Sequence, residues 1–349
     1  MIRASYIIHP LRFVTPAGTS RGYLEEKPCL FIRLTDEEGN TGLGEVSFIP
    51  GLSVEAEDEL EIQVDHVCKL ISQGEMDPMQ QLPALPGVQF ALETAVRDLD
   101  TGGKRLLYPS EFTRGMAGIP TKGLIWMGPK PVMNSQIREK MHLGFRVLKL
   151  KVGALDFQEE LNVIRWIRSE FPKAELEIRL DANGAWTAAE ALEKMKLLAR
   201  SGIHSIEQPI APGQTEEMAE LCRQSPFPVA LDEELIGLAD PRARRELLEA
   251  LRPSYIILKP GILGGFSIAG HWIDLAGSMG IGWWITSALE SNVGLNAIAQ
   301  WTWTLGISRP QGLGTGALYT NNIRSPLELR GEQLWYRPGA SWETHAAGW

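Results

Sequence analysis

Cysteine, clustered histidine, basic runs and long apolar stretches are all scarce in this chain of 349 residues. The three cysteines, Cys29, Cys68 and Cys222, stand far apart, and no Cys-x-x-Cys occurs. That spacing excludes a disulfide framework, which a chain this long does not need, and a reducing compartment is expected. The six histidines are scattered without a His-Glu-x-x-His, so none is assigned to a site. No Lys/Arg block interrupts a net charge of −9, which argues against nucleic-acid binding. No apolar run reaches the roughly 18 residues of a membrane span, and the N-terminus lacks a basic region followed by an apolar one. Neither a membrane nor export is therefore expected, and the cytoplasm is the default. A glycine-rich dinucleotide loop after an early strand is missing too.

What is present is an ordinary globular composition, 44% hydrophobic and 22% charged, with a change of rhythm along the chain. Residues 1–48 read as strands, at Tyr6–Pro10, Pro28–Thr35 and Thr41–Ser47, with a hairpin turn over Asp36–Asn40. The segment Thr15–Tyr23 reads as a loop, either a mobile flap or a simple hairpin connection. Residues 53–72 have helical spacing with Ser53 as N-cap, and Gly87–Thr101 gives a second helix. From about Gly123, strands and helices alternate through seven consecutive units. The strands are continuous apolar runs, as in a parallel sheet buried on both faces.

Within that repeat, 147–152 reads Val-Leu-Lys-Leu-Lys-Val. On a strand, Lys149 and Lys151 point to one face. Two buried ammonium groups are costly unless acids lie opposite. Acids follow at the ends of the next three strands, Asp181, Glu207 and Asp232, and Lys259 ends the strand after them. Counted from Lys151, these positions recur every 25 to 30 residues. Charged residues on successive strand ends favour a closed barrel, whose C-terminal face carries active sites. The expectation is an α/β fold: a modified TIM-like (β/α)8 barrel of (β/α)7β form with an α+β capping domain. The cap is placed over 1–115, completed by about 318–349, and the barrel over 116–317.

Three carboxylates converging on one point would repel, so a cation is implied. All-oxygen ligation selects Mg²⁺ or Mn²⁺ over zinc. A lysine crowded by like charge has a lowered pKa, as a general base requires. The set therefore suits proton abstraction beside a carboxylate. Schiff-base chemistry would not need the acids, and a scaffold barrel would not need the ionisable set at all.

Lys-x-Lys at 149–151, Asp-Ala-Asn-Gly at 181–184, Glu-Gln-Pro at 207–209, Asp-Glu at 232–233 and Lys-Pro at 259–260 together resemble the enolase superfamily, in its muconate-lactonizing-enzyme-like subgroup. The likeness extends over nearly the whole chain. It implies Asp181, Glu207 and Asp232 as ligands of Mg²⁺, with Mn²⁺ able to substitute. It implies Lys151 and Lys259 as the acid/base pair, supported by Lys149. Arg179, Ala-Pro-Gly-Gln at 211–214 and Thr286-Ser-Ala-Leu-Glu-Ser291 look most like the subgroup's dehydratases. These convert 2-succinyl-6-hydroxy-2,4-cyclohexadiene-1-carboxylate to 2-succinylbenzoate in menaquinone biosynthesis. The likeness then implies that Lys151 takes the α-proton and Lys259 stays cationic.

N-succinylamino acid racemases share the motif set. Dipeptide epimerases carry an Asp-x-Asp where 313–318 here reads Leu-Gly-Thr-Gly-Ala-Leu. Arg179, Asn183, Thr286, Ser287, Ser291 and Gly314 are the expected substrate contacts, with Asn183 and Glu233 orienting ligands. Gly264-Gly265 either leaves room for a carboxylate at a helix N-terminus or forms a turn. Trp283, Trp284, Trp301 and Trp303 are expected between barrel and helices. The expected partner is a small-molecule carboxylate, with no nucleic acid and no membrane; a homo-oligomer is left open.

Overall fold

A computed structural model describes residues 2–19, 22–126 and 128–343. The chain begins with strands β1 (Arg3–Ile8), β2 (Leu11–Thr19), β3 (Gly22–Lys27), β4 (Leu30–Thr35) and β5 (Thr41–Val46). Strands β1, β4 and β5 form one antiparallel sheet, and β2 and β3 form a separate ribbon. Helices α1 (Leu60–Gln73) and α2 (Pro86–Asp100) cover the sheet. Leu30, Ile32 and Leu34 of β4 pack with Val64, Val67 and Ile71 of α1 and with Val88 and Leu92 of α2. Alternate burial of this kind is what period-2 and period-3.6 patterns require when two elements share a core. Gly42 and Gly44 let α2 lie directly on β5: a Cβ there would stand 2.0 Å from the Ala95 carbonyl oxygen and 1.8 Å from that of Ala91.

Two expectations for this part are corrected. The segment 15–23 is mostly strand rather than loop, its tip residues Ser20 and Arg21 lying outside the described residues. Ser53 does not start α1. Its Oγ accepts the Ile49 amide at 2.9 Å, closing the turn after β5, and the helix begins seven residues later behind Glu59.

After β6 (Ile119–Pro120) come the alternating units: β7 (Gly123–Ile125), α3 (Lys130–His142), β8 (Val147–Lys151), α4 (Phe157–Glu170), β9 (Glu177–Asp181), α5 (Ala188–Ala199), β10 (Ser205–Glu207), α6 (Thr215–Gln224), β11 (Val229–Leu231), α7 (Pro241–Leu251), β12 (Tyr255–Leu258), α8 (Pro260–Leu263), α9 (Gly265–Ser278), β13 (Gly282–Ile285) and α10 (Asn292–Thr304). Local chemistry sets the helix starts. Asp156 and Asp240 cap α4 and α7, and Thr187 with Glu190 makes a capping box for α5. Strands β7 to β13 pair in sequence order in one parallel sheet.

The ring closes through a very short eighth element. Gln311 bridges Thr121 and Gly312 bridges Thr286, both in parallel sense. A Cβ on Gly312 would meet Thr286 Oγ1 at 2.1 Å, so only glycine permits this approach. The chain then returns past β2, where the Val14 amide donates to the Leu318 carbonyl at 2.8 Å. It ends in a hairpin of β14 (Leu327–Arg330) and β15 (Gln333–Tyr336), which pairs with β6.

Two glutamates of the N-terminal layer fasten it to barrel helices. Glu45 on β5 accepts the amides of Ser291 and Gly294 and the Ser291 hydroxyl, at 2.8, 2.9 and 2.5 Å, at the start of α10. Glu93 on α2 accepts the amides of Phe266 and Ser267 at 2.6 and 3.1 Å, at the start of α9. Both carboxylates sit where a helix dipole favours negative charge. Among the described residues no helix is long and apolar enough to cross a membrane.

Candidate active site

Parallel pairing aligns the ionisable residues by height. Lys149 is opposite Arg179, Lys151 opposite Asp181, and Asp181 opposite Glu207. Asp232 follows β11 directly. All of these side chains are buried, Asp181 completely. Lys149 Nζ lies 2.6 Å from Asp181 Oδ2 and 2.5 Å from Glu207 Oε1, so one ammonium joins two carboxylates. Lys151 Nζ donates at 2.6 Å to both Asp181 Oδ2 and Asn183 Oδ1. Lys259 Nζ donates to Asp232 Oδ2 at 2.5 Å.

Just past β9 and β10, Asn183 and Gln208 have φ of 46° and 38°, in the left-handed region that non-glycine residues rarely occupy. Their side chains hold them there. Asn183 Nδ2 donates to Glu233 Oε1 at 2.9 Å, and Gln208 Nε2 donates to Glu234 Oε2 at 2.9 Å. Gln208 Oε1 also accepts the amides of Asp232 and Glu234 at 3.2 and 3.3 Å. One amide side chain thus fixes the turn that presents Asp232.

These neighbours split the protonation behaviour of the lysines. Burial lowers the Lys151 pKa, and the charge of Lys149 adds to that effect, beyond what Asp181 restores. For Lys149 and Lys259 burial works in the same sense, but the surrounding carboxylates outweigh it and both are raised. Glu207 is raised to about 8 by burial and by the charge of Asp181. Asp181 goes the other way despite its burial, because two ammonium groups face it.

A cavity opens above this layer, with about 1010 Å³ of empty space including its mouth. Lys149, Lys151, Lys259, Asn183, Thr286, Ser287 and Gly314 all line it. Arg179 and Ser291 do not. Arg179 sits one layer deeper, its guanidinium 4.4 Å from the Trp284 ring and its Nε on Glu177 at 2.7 Å. Ser291 is spent on Glu45 as the N-cap of α10. The α9 N-terminus behind Gly264-Gly265 is filled by Glu93, which corrects the reading of that turn as room for a ligand. Trp284 lies inside the barrel rather than between barrel and helices, and Trp126, not Trp283, Trp301 or Trp303, reaches the cavity wall.

Sequence reasoning missed Lys122 and Thr315, which also line the cavity. Lys122 carried the signal used for Lys149, a lysine bordering an apolar strand. Lys122 stands just before that strand, which begins at Gly123 as expected, so no alternation within the strand marked it. Thr315 lies in a glycine-rich stretch without periodicity. Leu24, Ile49 and Leu52 from the N-terminal layer complete the wall.

The residues present fit a hard divalent cation. The donors are all oxygen, they are buried on adjacent strand ends, and two of them already share one cationic group. Direct convergence of three carboxylates was expected. Among the described residues no three of His, Cys, Asp and Glu are arranged to hold a metal ion; Lys149 joins Asp181 to Glu207, and Lys259 pairs with Asp232.

Comparison with known proteins bears on the fold and the family. The family described as enolase C-terminal domain-like matches residues 132–339. An o-succinylbenzoate synthase of Desulfotalea psychrophila is 47% identical, covering 95% of this chain and 98% of that one. A crystal structure of MenC from the same organism superposes with a TM-score of 0.84 at 43% identity, covering 96% and 99% of the two chains. The L-Ala-D/L-Glu epimerase of Bacillus subtilis shares the fold at a TM-score of 0.81 and 21% identity, over 98% of both chains. With its lysines and acids on successive strands of a modified barrel, and with the family match across most of that barrel, the chain belongs to the enolase C-terminal domain-like family of the enolase superfamily.

Proposed function

We propose that this protein is an o-succinylbenzoate synthase, a hydro-lyase that forms 2-succinylbenzoate by syn-dehydration of 2-succinyl-6-hydroxy-2,4-cyclohexadiene-1-carboxylate. The observation that carries this reading is the full-length relation to a synthase at 47% identity. Muconate lactonizing enzymes and dipeptide epimerases resemble the chain at only 19–22% identity, a likeness of fold alone.

In this reading Asp181, Glu207 and Asp232 would hold Mg²⁺, for which Mn²⁺ can substitute. When bound, the ion supplies positive charge to the substrate carboxylate. Lys151 removes the proton α to that carboxylate. Its amine is kept available by burial and by Lys149, and is aimed by Asn183 and Asp181. Loss of water from the same face lets the protonated Lys151 return its proton to the departing hydroxyl, so the step balances as one proton and one hydroxide lost. Lys259, held charged by Asp232, stabilises the negative charge developing on the carboxylate. Apolar residues of the wall exclude water from the developing charge. Residues 1–115 act as the cap and 116–317 as the catalytic barrel.

The test is direct. Purified protein with Mg²⁺ should consume the ultraviolet absorbance of the cyclohexadiene, and a chelator should stop it until Mg²⁺ or Mn²⁺ is returned. Lys151→Ala should lower kcat by at least about 10²-fold. Absence of turnover with Mg²⁺ present would exclude the reading.

A further inference from the structure

The cavity has walls from two layers. Residues 286–289, just past β13, line it from the barrel, and Ile49, Pro50 and Leu52, just past β5, line it from the N-terminal layer. Neither segment belongs to a helix or a strand, so no regular ladder sets the distance between them.

One buried carboxylate spans them. Glu290 Oε2 accepts the Ala288 amide at 2.6 Å, and Glu290 Oε1 accepts the Ser47 hydroxyl at 2.7 Å. Ala288 belongs to the barrel wall, and Ser47 stands two residues before Ile49. A third segment closes on the same pair. A Cβ on Gly261 would lie 2.2 Å from Glu290 Oε1 and 2.5 Å from Ser47 Oγ, so only glycine lets α8 rest there. Lys259 is the N-cap of that helix. Three segments that meet at the cavity are thus registered on one side chain that does not itself line it.

We infer that Glu290 is a positioning residue: through Ala288 and Ser47 it fixes the separation of the two cavity walls, and with it the fit of the substrate. This rests on the function proposed above and adds the group that holds its cavity in shape. Such a residue acts by geometry rather than by charge, so an amide of the same shape can replace it. The carbonyl of a glutamine can accept the Ala288 amide while its NH2 donates to the Ser47 oxygen.

Steady-state kinetics of the Mg²⁺-loaded enzyme with the cyclohexadiene substrate test it. Glu290→Ala should raise KM at least about tenfold and change kcat by less than about threefold. A smaller folded fraction would instead lower kcat and leave KM alone. Ser47→Ala should raise KM about threefold, and the double variant should do no worse than Glu290→Ala, because both act through one contact. Glu290→Gln should recover most of the loss. An unchanged KM in Glu290→Ala overturns the inference, as does a Gln variant as impaired as the Ala one. If Glu290→Ala fails to fold, Ser47→Ala decides, and an unmoved KM there overturns it. Amide hydrogen exchange separates this role from the proposed reaction. Exchange over residues 286–291 should quicken at least about tenfold in Glu290→Ala and keep the parent rate in Glu290→Gln. Quickened exchange in a protein without turnover would remove the proposed reaction and keep Glu290 as the holder of the wall. Turnover with unaltered exchange in Glu290→Ala would do the reverse.

Discussion

Lys149 and Lys151 stand two residues apart on one strand, yet their neighbours give them opposite behaviour. Lys149 touches two carboxylates and Lys151 one, plus a neutral amide. Replacing Lys149 by Met removes a positive charge beside Lys151 and leaves Asp181 with one counter-ion fewer. Both changes favour the protonated form of Lys151, so its pKa rises. A base works only when deprotonated, so the acidic limb of kcat/KM should move to higher pH. A pH–rate profile of the variant checks this, and an unmoved limb would separate Lys149 from the base. The residues legible in the sequence were those whose charge has no other use in an apolar strand. That Arg179 and Ser291 stand off the cavity wall, engaged by Trp284 and Glu45, is not legible in the sequence.

At the scale of elements, the seven strand–helix units were legible almost to the residue. Strands buried on both faces are unbroken apolar runs, and the helices between them carry N-caps of ordinary chemistry. The β2–β3 ribbon was not, because its Pro16, Gly18 and Gly22 imitate a loop. The two-residue closure of the ring has no period to read. The joint between cap and barrel also lies beyond sequence patterns, since it rests on single glutamates meeting helix ends far along the chain. Glu45 is the stronger case. Glu45→Ala would leave the Ser291 and Gly294 amides unsatisfied and Lys27, 4.0 Å away and fully buried, without its counter-ion. A loss of about 3–5 kcal/mol is expected, measured by denaturant unfolding. A loss below 1 kcal/mol would mean that the layers are held by apolar contact alone.

At the scale of the molecule, the same joint makes stability depend on pH. Glu290 is fully buried there, accepting from the Ser47 hydroxyl at 2.7 Å and the Ala288 amide at 2.6 Å. Burial and the charge of Glu45, only partly offset by Lys27, raise its carboxyl from 4.5 to about 7. The folded chain therefore holds a proton that the unfolded chain releases earlier. The stability this contributes is complete below pH 4.5 and is lost as the pH rises through about 7. The difference is on the order of 3 kcal/mol. Glu290→Gln should flatten this part of the stability–pH curve and raise stability at pH 8, measured by denaturant unfolding across the range. A curve parallel to that of the parent protein would count against it.

The closing segment at Gln311–Gly312 has a consequence in time. The lysines and acids of the site all lie on strands made before it, and they are in reach of one another without it. The wall at Gly314 and Thr315 is not. During synthesis the first barrel strand waits with an open edge until the far end of the chain arrives to pair with it. The charged residues of the centre thus precede the closing segment in the chain, and part of the cavity wall follows it.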